Sequence, residues 1–222
     1  MPDLDAYRRL RDEANDAGAV LVAVSKTKPD ADLEALYRAG HRDFGENYVQ
    51  ELVGKQARLP EDIHWHFIGH LQRNKVREIV PFVHLIHGVD SLRLLAEINK
   101  RARAIGRIVD VLLQVHVAQE DTKHGWAPEE LLALYEEPTI HGLAWVRPCG
   151  LMGMASNTDD EARVSAEFAQ LKSLYDTIGE RYYDRRPAWS TLSMGMSGDY
   201  RLALAAGSTL LRIGSTIFGA RA

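Results

Sequence analysis

Short apolar runs alternate along this chain with longer amphipathic segments, and this alternation limits the possible folds more than any other feature. The runs are rich in the aliphatic and β-branched residues of buried strands, whereas the segments between them repeat apolar residues at helical spacing. Strands that alternate with helices indicate parallel strands joined by crossover helices. The eight runs cover residues 20–26, 41–46, 64–69, 84–90, 109–117, 146–154, 189–195 and 210–215.

Boundary residues support the predicted helices between these runs. Asp90 or Ser91 is placed to cap a helix that Gly106 ends. Pro128 and Pro138 are placed to open and close another helix, because proline is tolerated in the first turn and excluded from the interior. The sequence therefore predicts helices of ordinary length between consecutive strands.

Eight strands with their helices predict an α/β fold, a (β/α)8 barrel of the TIM type. We expect one domain over residues 1–222, because no proline-rich, glycine-rich or low-complexity linker divides the chain. An open doubly wound sheet would show the same alternation. It is disfavoured because no glycine-rich dinucleotide motif follows the first strand.

Charge and composition argue against several classes of partner. The net charge of -4 and the pI near 6.1 disfavour a nucleic-acid ligand, whose binders usually carry a basic face. No apolar stretch is long enough for a membrane span, and the amino-terminal residues lack the apolar core of a secretion signal. Cys149 is the single cysteine, which fits the reducing cytoplasm and a small residue of the core.

Lys26 ends the first apolar run, and in a barrel of this type the active face lies at the carboxyl ends of the strands. The apolar residues from Val20 to Val24 would hold its stem, and desolvation there would favour the uncharged amine. Such an amine can condense with an aldehyde. A solvated lysine at a strand end, like the neighbouring Lys28, is the alternative interpretation.

Two loops that combine glycine with hydroxyl residues follow the last two apolar runs, GMSGD at 195–199 and GST at 214–216. Barrels frequently bind phosphate at the loops after strands seven and eight, through backbone N–H groups and a helix N-terminus. We therefore expect Ser197 to cap a helix that begins near Gly198 and to donate its hydroxyl to a phosphate oxygen. Ordinary turn and capping chemistry is the alternative.

Arg212 lies inside the last apolar run, where a guanidinium is costly unless it meets a partner. One hypothesis is a hydrogen bond to a pyridine nitrogen of a ligand. The other is a buried ion pair, although the sequence places no carboxylate evidently opposite it.

Six motifs in a fixed order closely resemble the pyridoxal phosphate homeostasis protein family, whose barrel is similar to the N-terminal domain of alanine racemase. They are AVSKTKP, FGENYVQE, WHFIGHLQRNK, GLMGM, LSMGMSGD and AAGSTLLRIGSTIFGAR, and the match runs from about Val20 to Arg221. The resemblance implies pyridoxal 5'-phosphate as the ligand and a Schiff base as the link. The site residues that it implies are Lys26 for the Schiff base, Ser197, Gly214 and Ser215 for the phosphate, Arg212 facing the pyridine nitrogen, and Asn47 near the ring.

The same resemblance implies that His66 and Ile68 line the mouth of this site, unless they are core residues. The chain departs from the family pattern at His116, where asparagine is common, and at Ser215, where threonine is frequent. The serine keeps the hydroxyl, whereas the bulkier, titratable histidine puts in doubt any contact carried over to the fifth strand.

Three histidines, His64, His66 and His70, raise a separate metal hypothesis, because the first two share a strand face and the third follows the turn. The sequence supplies no clear second shell for such a site, and strand histidines commonly satisfy hydrogen bonds within the fold. We therefore expect no bound metal.

A permanently cationic partner such as Arg212 would discourage protonation of the ring nitrogen and weaken the electron sink that amino-acid chemistry needs. Racemases of the resembling family also use a tyrosine from a second domain, which we do not expect in a chain that ends at Ala222. We therefore expect a cytoplasmic binding and homeostasis protein for this form of vitamin B6, rather than an enzyme, with apoenzymes as candidate acceptors. A slow amino-acid racemase or lyase is the second hypothesis, and a metal-dependent barrel hydrolase is the third.

Overall fold

Eight parallel strands close into a barrel in a computed structural model of the chain, which describes residues 1–118, 125–183 and 188–219. The strands pair in chain order, and all eight predicted runs contain one of them, so the predicted barrel is confirmed. The strands are Val20–Val24 (β1), Asp43–Glu46 (β2), His64–Phe67 (β3), Leu85–Val89 (β4), Val109–Gln114 (β5), Val146–Met152 (β6), Thr191–Ser193 (β7) and Leu210–Ile213 (β8).

Helices on the outside of the barrel connect these strands. In the described part of the chain, no helix is both long and apolar enough to cross a membrane. The helices are Leu4–Asp16 (α1), Asp30–Arg38 (α2), Val49–Gln56 (α3), Val76–Ile79 (α4), Leu92–Ala104 (α5), Pro128–Glu136 (α6), Pro138–His141 (α7), Glu161–Tyr182 (α8), Tyr200–Ala205 (α9) and Ser215–Phe218 (α10), with a short 3-10 turn at Arg73–Lys75.

Helix ends largely follow the predicted capping residues. The Ser91 hydroxyl accepts a hydrogen bond from the Leu94 N–H at the start of α5, which settles the choice between Asp90 and Ser91. Pro138 differs from expectation: α6 stops at Glu136, and the proline opens the short helix α7 instead of only closing α6. Proline can start a helix because the N–H that it lacks would have no acceptor within the first turn.

Two regions of apolar packing hold the barrel together. The larger lies between the strands and the surrounding helices, where side chains such as Phe44, Phe67 and Phe168 are fully buried. The smaller lies inside the barrel, where Cys149 packs as a small core residue, as predicted. Burial raises the pKa of its thiol to about 12, so the sulfur stays protonated.

Barrel closure depends on the pairing of β1 with β8, which places Val22 beside Arg212 and Ala23 beside Ile213. Because the strands are parallel, their carboxyl ends meet at one mouth of the barrel. This pairing brings the segment after Val24 next to the segment after Ile213, although the two are far apart in the sequence.

Candidate functional site

A cavity of about 310 Å³ opens at the carboxyl ends of β1, β2, β7 and β8. A larger and more open depression lies near Arg73 and Arg93, but it contains none of the predicted site residues. The cavity at the strand ends holds all six of them, so the barrel brings together residues that the sequence scatters. Its lining comprises Val24, Lys26, Lys28, Asn47, Ile68, Met154, Met196, Ser197, Gly198, Arg212, Gly214, Ser215 and Gly219.

Two lysines line the cavity. Lys26 lies two residues beyond β1 and is partly buried. Lys28 donates a hydrogen bond from Nζ to the Phe218 carbonyl at 3.0 Å, which ties its ammonium group to the end of α10. The geometry therefore gives Lys28 a structural partner on the cavity wall.

The loop between β7 and α9 contributes Met196, Ser197 and Gly198 to the cavity. Its turn requires glycine at 195, where φ is +96° and a Cβ atom would lie 2.6 Å from the Ala203 Cβ. The predicted capping role of Ser197 is wrong. The helix begins later than expected, at Tyr200, and the Asp199 carboxylate stabilises the loop by accepting the Met196 N–H at 2.6 Å.

The segment after β8 forms the opposite wall of the same end of the cavity. Gly214 precedes α10, and Ser215 is exposed as its first residue. The first N–H groups of any helix have no acceptor within that helix. Hydroxyl and backbone donors from two loops therefore border one volume at this end of the cavity.

Arg212 projects from β8 into the barrel and is only 5% exposed. Nη1 donates to the Ser193 Oγ at 2.5 Å, and Nη2 donates to the Gly153 carbonyl at 2.9 Å. Burial lowers the pKa of the guanidinium to about 10, so the group still carries its charge at neutral pH. The alternative of a buried ion pair is wrong for the described chain, because these two hydrogen-bond partners are neutral.

Asn47 follows β2 and lines the cavity. Its Oδ1 is buried and accepts no hydrogen bond from the described part of the chain. The backbone of Asn47 is held closely, because a Cβ atom at Gly69 would lie 2.4 Å from the Asn47 carbonyl oxygen. Only glycine fits at position 69, and Ile68 beside it lines the cavity as the sequence implied.

His66 does not line the mouth of the site. It lies inside the barrel, 2% exposed, with Nδ1 3.0 Å from the His87 Nε2 and Nε2 3.1 Å from the Asp43 Oδ1. His87 Nδ1 lies in turn 3.3 Å from the Ser193 Oγ, which accepts from Arg212. A buried polar chain therefore connects the cavity to the opposite end of the barrel.

The ends of this polar chain fix the direction of its hydrogen bonds. A guanidinium can only donate, and an ionised carboxylate can only accept. Burial by itself would raise the pKa of Asp43, but interactions that include hydrogen bonds from His66 and His64 lower it to about 2. When both imidazole rings are neutral, each ring donates one hydrogen bond and accepts one. Because Asp43 only accepts, His66 donates to it and accepts from His87. His87 in turn accepts from the Ser193 hydroxyl.

The three histidines of the metal hypothesis do not come together. His64 and His66 share the Asp43 carboxylate, whereas His70 Nδ1 lies 3.2 Å from the Asp90 Oδ2. Among the described residues, no group of three or more ligating side chains has a geometry that could hold a metal ion. The described structure therefore gives no support to the hydrolase hypothesis.

His87 and Ser193 were missed by the sequence reasoning. Both lie in predicted strands, and alternation along β4 from the inward-facing Leu85 would have placed His87 inside the barrel. His116 lies just beyond β5, where its N–H donates to the Trp126 carbonyl at 3.0 Å, and it is not among the residues that line the cavity.

Known proteins with similar sequences identify the family of this chain. The family described as "Alanine racemase, N-terminal domain" matches residues 5–222. The pyridoxal phosphate homeostasis protein of Pseudomonas aeruginosa is 42% identical over 219 residues, which cover 96% of this chain and 91% of that protein. This chain belongs to the pyridoxal phosphate homeostasis protein family. The resemblance seen in the six sequence motifs is therefore confirmed.

Solved structures of this family support the assignment. PipY of Synechococcus elongatus has been solved without pyridoxal phosphate, with a TM-score of 0.89, 37% identity and coverage of 97% of this chain and 99% of that one. The same protein with pyridoxal phosphate bound gives a TM-score of 0.86, 36% identity and the same coverage. The curated relatives are named for homeostasis and not for a catalysed reaction, so the chain groups with homeostasis proteins and not with the enzymes of the wider fold.

The fully buried ring of His87 predicts a loss of stability in acid. Burial lowers the pKa of His87 well below its usual value, so at mildly acidic pH the unfolded chain binds a proton that the folded chain does not. The free energy of unfolding should therefore fall as the pH drops from 7 towards 5. His87→Gln, which keeps an amide for hydrogen bonding but cannot titrate, should flatten this dependence in urea titrations.

The control is Thr177→Ala, which removes a hydroxyl on α8 and no titrating group. It should keep the slope of the unfolding free energy against pH that the wild type shows. An equal slope in His87→Gln and the wild type would contradict the proposed neutral state of the buried ring.

Proposed function

We propose that this chain binds pyridoxal 5'-phosphate through a Schiff base on Lys26, and that it serves the homeostasis of that cofactor in the cytoplasm. The observation that carries the proposal is the convergence of Lys26, Asn47, Arg212 and the two hydroxyl loops on one cavity. The pyridoxal phosphate named in the PipY structure supports the choice of ligand. The single cysteine, which is buried and reduced, suits the cytoplasm.

The chemistry of the cavity suits a phosphate at one end. Ser197 and Ser215 offer hydroxyl donors, and Gly214 leads into the first N–H groups of α10. Gly198 has open space where a Cβ atom would stand, so the backbone of the loop is accessible to a ligand. These groups would hold the phosphate by several donors rather than by one charged side chain.

The deeper end of the cavity suits a pyridine ring. Arg212 has five N–H donors, and its contacts to Ser193 and Gly153 fix the plane of the guanidinium. A fixed, charged donor favours a ring nitrogen that accepts a hydrogen bond. Asn47 also lines the cavity, so we place its side-chain amide near the ring.

Lys26 is the better of the two lysines for the covalent bond. Its amine would add to the ligand's aldehyde carbon, and a C=N bond would form as one water molecule leaves. Lys26 lines the cavity and is the lysine that the sequence motif AVSKTKP implied.

A binding role is also supported by the environment of Arg212. When bound, the cofactor supplies a ring that can withdraw electrons, most strongly when its nitrogen is protonated. Arg212 is charged, buried and held in place by neutral partners, so it opposes that protonation. The site therefore suits retention of the cofactor better than rapid chemistry on amino acids.

The covalent link gives the first prediction of this proposal. Lys26→Ala should lose the visible absorbance of the Schiff base and its trapping by borohydride, while the phosphate loops retain part of the affinity. Its affinity for pyridoxal phosphate should fall to that for pyridoxine 5'-phosphate, which has no aldehyde. Lys28→Ala is the control and should keep the absorbance. An unchanged spectrum in Lys26→Ala would assign the bond to another lysine.

The phosphate loops give a second prediction. Replacing Ser197 and Ser215 with alanine should weaken cofactor binding by about tenfold for each hydroxyl, because a hydrogen bond to a charged group is lost. The free energy of unfolding should change by less than about 0.5 kcal/mol, since Ser197 lies on a loop and Ser215 is exposed at the first position of a short helix. Equilibrium dialysis and urea titration measure the two effects. Thr177→Ala removes an exposed hydroxyl elsewhere, and a double variant that binds like this control would contradict the phosphate role.

We further propose that the chain passes its cofactor to apoenzymes. Ser215 and Met196 are exposed at the rim, so the phosphate end of the cavity faces solvent and not the core. The loaded chain should reactivate an apoenzyme in the presence of an amine scavenger that captures free cofactor. Equal amounts of free pyridoxal phosphate should fail under these conditions. If the scavenger abolished both reactivations alike, the chain would release cofactor only into solution.

A further inference from the structure

The residues around Lys26 form a strained turn. The Lys28 N–H donates to the Ser25 carbonyl at 3.0 Å, so Lys26 and Thr27 are the two central residues of a four-residue turn. Thr27 has φ of +63°, a conformation that turns of this kind require at the third position and that glycine normally supplies. For a β-branched residue this conformation is costly and persists only where the surroundings enforce it.

Two side chains from α3 hold this turn. The Thr27 N–H donates to the Glu51 Oε1 at 2.6 Å, and the Ser25 carbonyl accepts from the Lys55 Nζ at 2.8 Å. These two backbone groups belong to the peptide units on either side of Lys26. Both units that flank the Lys26 Cα are therefore held by side chains of one helix.

An ion pair joins the two side chains to each other. The Lys55 Nζ lies 2.7 Å from the Glu51 Oε1, and the spacing of four residues places them on one face of α3. A closed ring of hydrogen bonds therefore joins the backbone on either side of Lys26 to the side chains of Glu51 and Lys55. We refer to Glu51 and Lys55 together as the α3 clamp.

Burial distinguishes the α3 clamp from an ordinary surface ion pair. The Lys55 side chain is 3% exposed, and its third acceptor is the Glu46 Oε1 at 2.7 Å, in a side chain with 0% exposure. All three donors of the ammonium are thus used, as a buried cation requires. Burial raises the pKa of Glu46 and the Lys55 charge partly offsets this, while Ser25 Oγ donates to the same oxygen at 2.6 Å.

We infer that Glu51 and Lys55 act as positioning residues for Lys26, holding the strained turn so that its amine meets the ligand aldehyde in a fixed geometry. This inference rests on the proposed role of Lys26. Fixing both flanking peptide units sets the direction of the Cα–Cβ bond, which reduces the conformational freedom lost when the covalent bond forms. Neither residue is among those that line the cavity.

The test measures the affinity of Glu51→Ala and Glu51→Gln for pyridoxal phosphate, which can bond to lysine, and for pyridoxine 5'-phosphate, which cannot. In Glu51→Ala, affinity for pyridoxal phosphate and the borohydride-trapped fraction on Lys26 should fall, with affinity reduced by about tenfold or more. Affinity for pyridoxine 5'-phosphate should change by less than about twofold, because it forms no bond to lysine. Glu51→Gln retains an oxygen for the Thr27 N–H and should recover part of the loss.

Hydrogen exchange in the ligand-free chain gives an independent measurement. Exchange of the Thr27 amide should accelerate by about tenfold or more in Glu51→Ala, because its charged acceptor is removed. The control is Asp176→Ala, which breaks the i,i+4 ion pair to Lys172, measured at 2.6 Å and partly exposed on α8. That variant should match the wild type in exchange and in both affinities.

Three outcomes would overturn the inference. The first is unchanged Thr27 exchange in Glu51→Ala, and the second is faster exchange with unchanged affinity for pyridoxal phosphate. The third is an equal loss of affinity for both ligands, which would reveal a general loss of structure. A wild type that binds both ligands alike, with nothing trapped on Lys26, would instead refute the Schiff base itself, and Thr27 exchange would still report whether the α3 clamp holds the turn.

Discussion

Pairing of the first strand with the last is the constraint on which the rest of the molecule depends. Hydrogen bonds between β1 and β8 set Val22 against Arg212 and close the barrel. Without that closure, the turn that carries Lys26 and the loop that carries Gly214 would lie at opposite edges of an open sheet. Each loop of the candidate site is formed by residues that are close in the sequence, but the loops lie next to each other only because the whole barrel closes.

The interior of the barrel shows how polar groups can be accommodated in place of an entirely apolar core. A chain of hydrogen bonds links a cation near the cavity to an anion at the far end of the barrel, without a direct ion pair. Its members, in order, are Arg212, Ser193, His87, His66 and Asp43. Burying any one of these groups alone would cost free energy. Together they hold the guanidinium in a single orientation.

Much of the fold could be predicted from the sequence, because strand and helix periodicities depend on local burial. The position of Lys26 at a strand end and the two glycine-hydroxyl loops were also predictable, since they follow strands and carry diagnostic residue types. Other features could not be predicted. The capping role given to Ser197 was wrong because Asp199 stabilises the loop from within, and His66 turns inwards because Asp43 and His87 lie there to receive it. Glu51 and Lys55 look like a routine helix ion pair in the sequence, and only the packing of α3 against the Lys26 turn shows otherwise.

The polar chain through the barrel also constrains how this protein can change over evolutionary time. Its direction is set by a group that only donates at one end and a group that only accepts at the other. Replacing one inner member by an apolar residue leaves its neighbours buried without partners, whereas replacing several together can restore a fully paired or fully apolar interior. These five positions should therefore drift as a set, and a lineage that loses the arginine would be expected to lose the histidines with it.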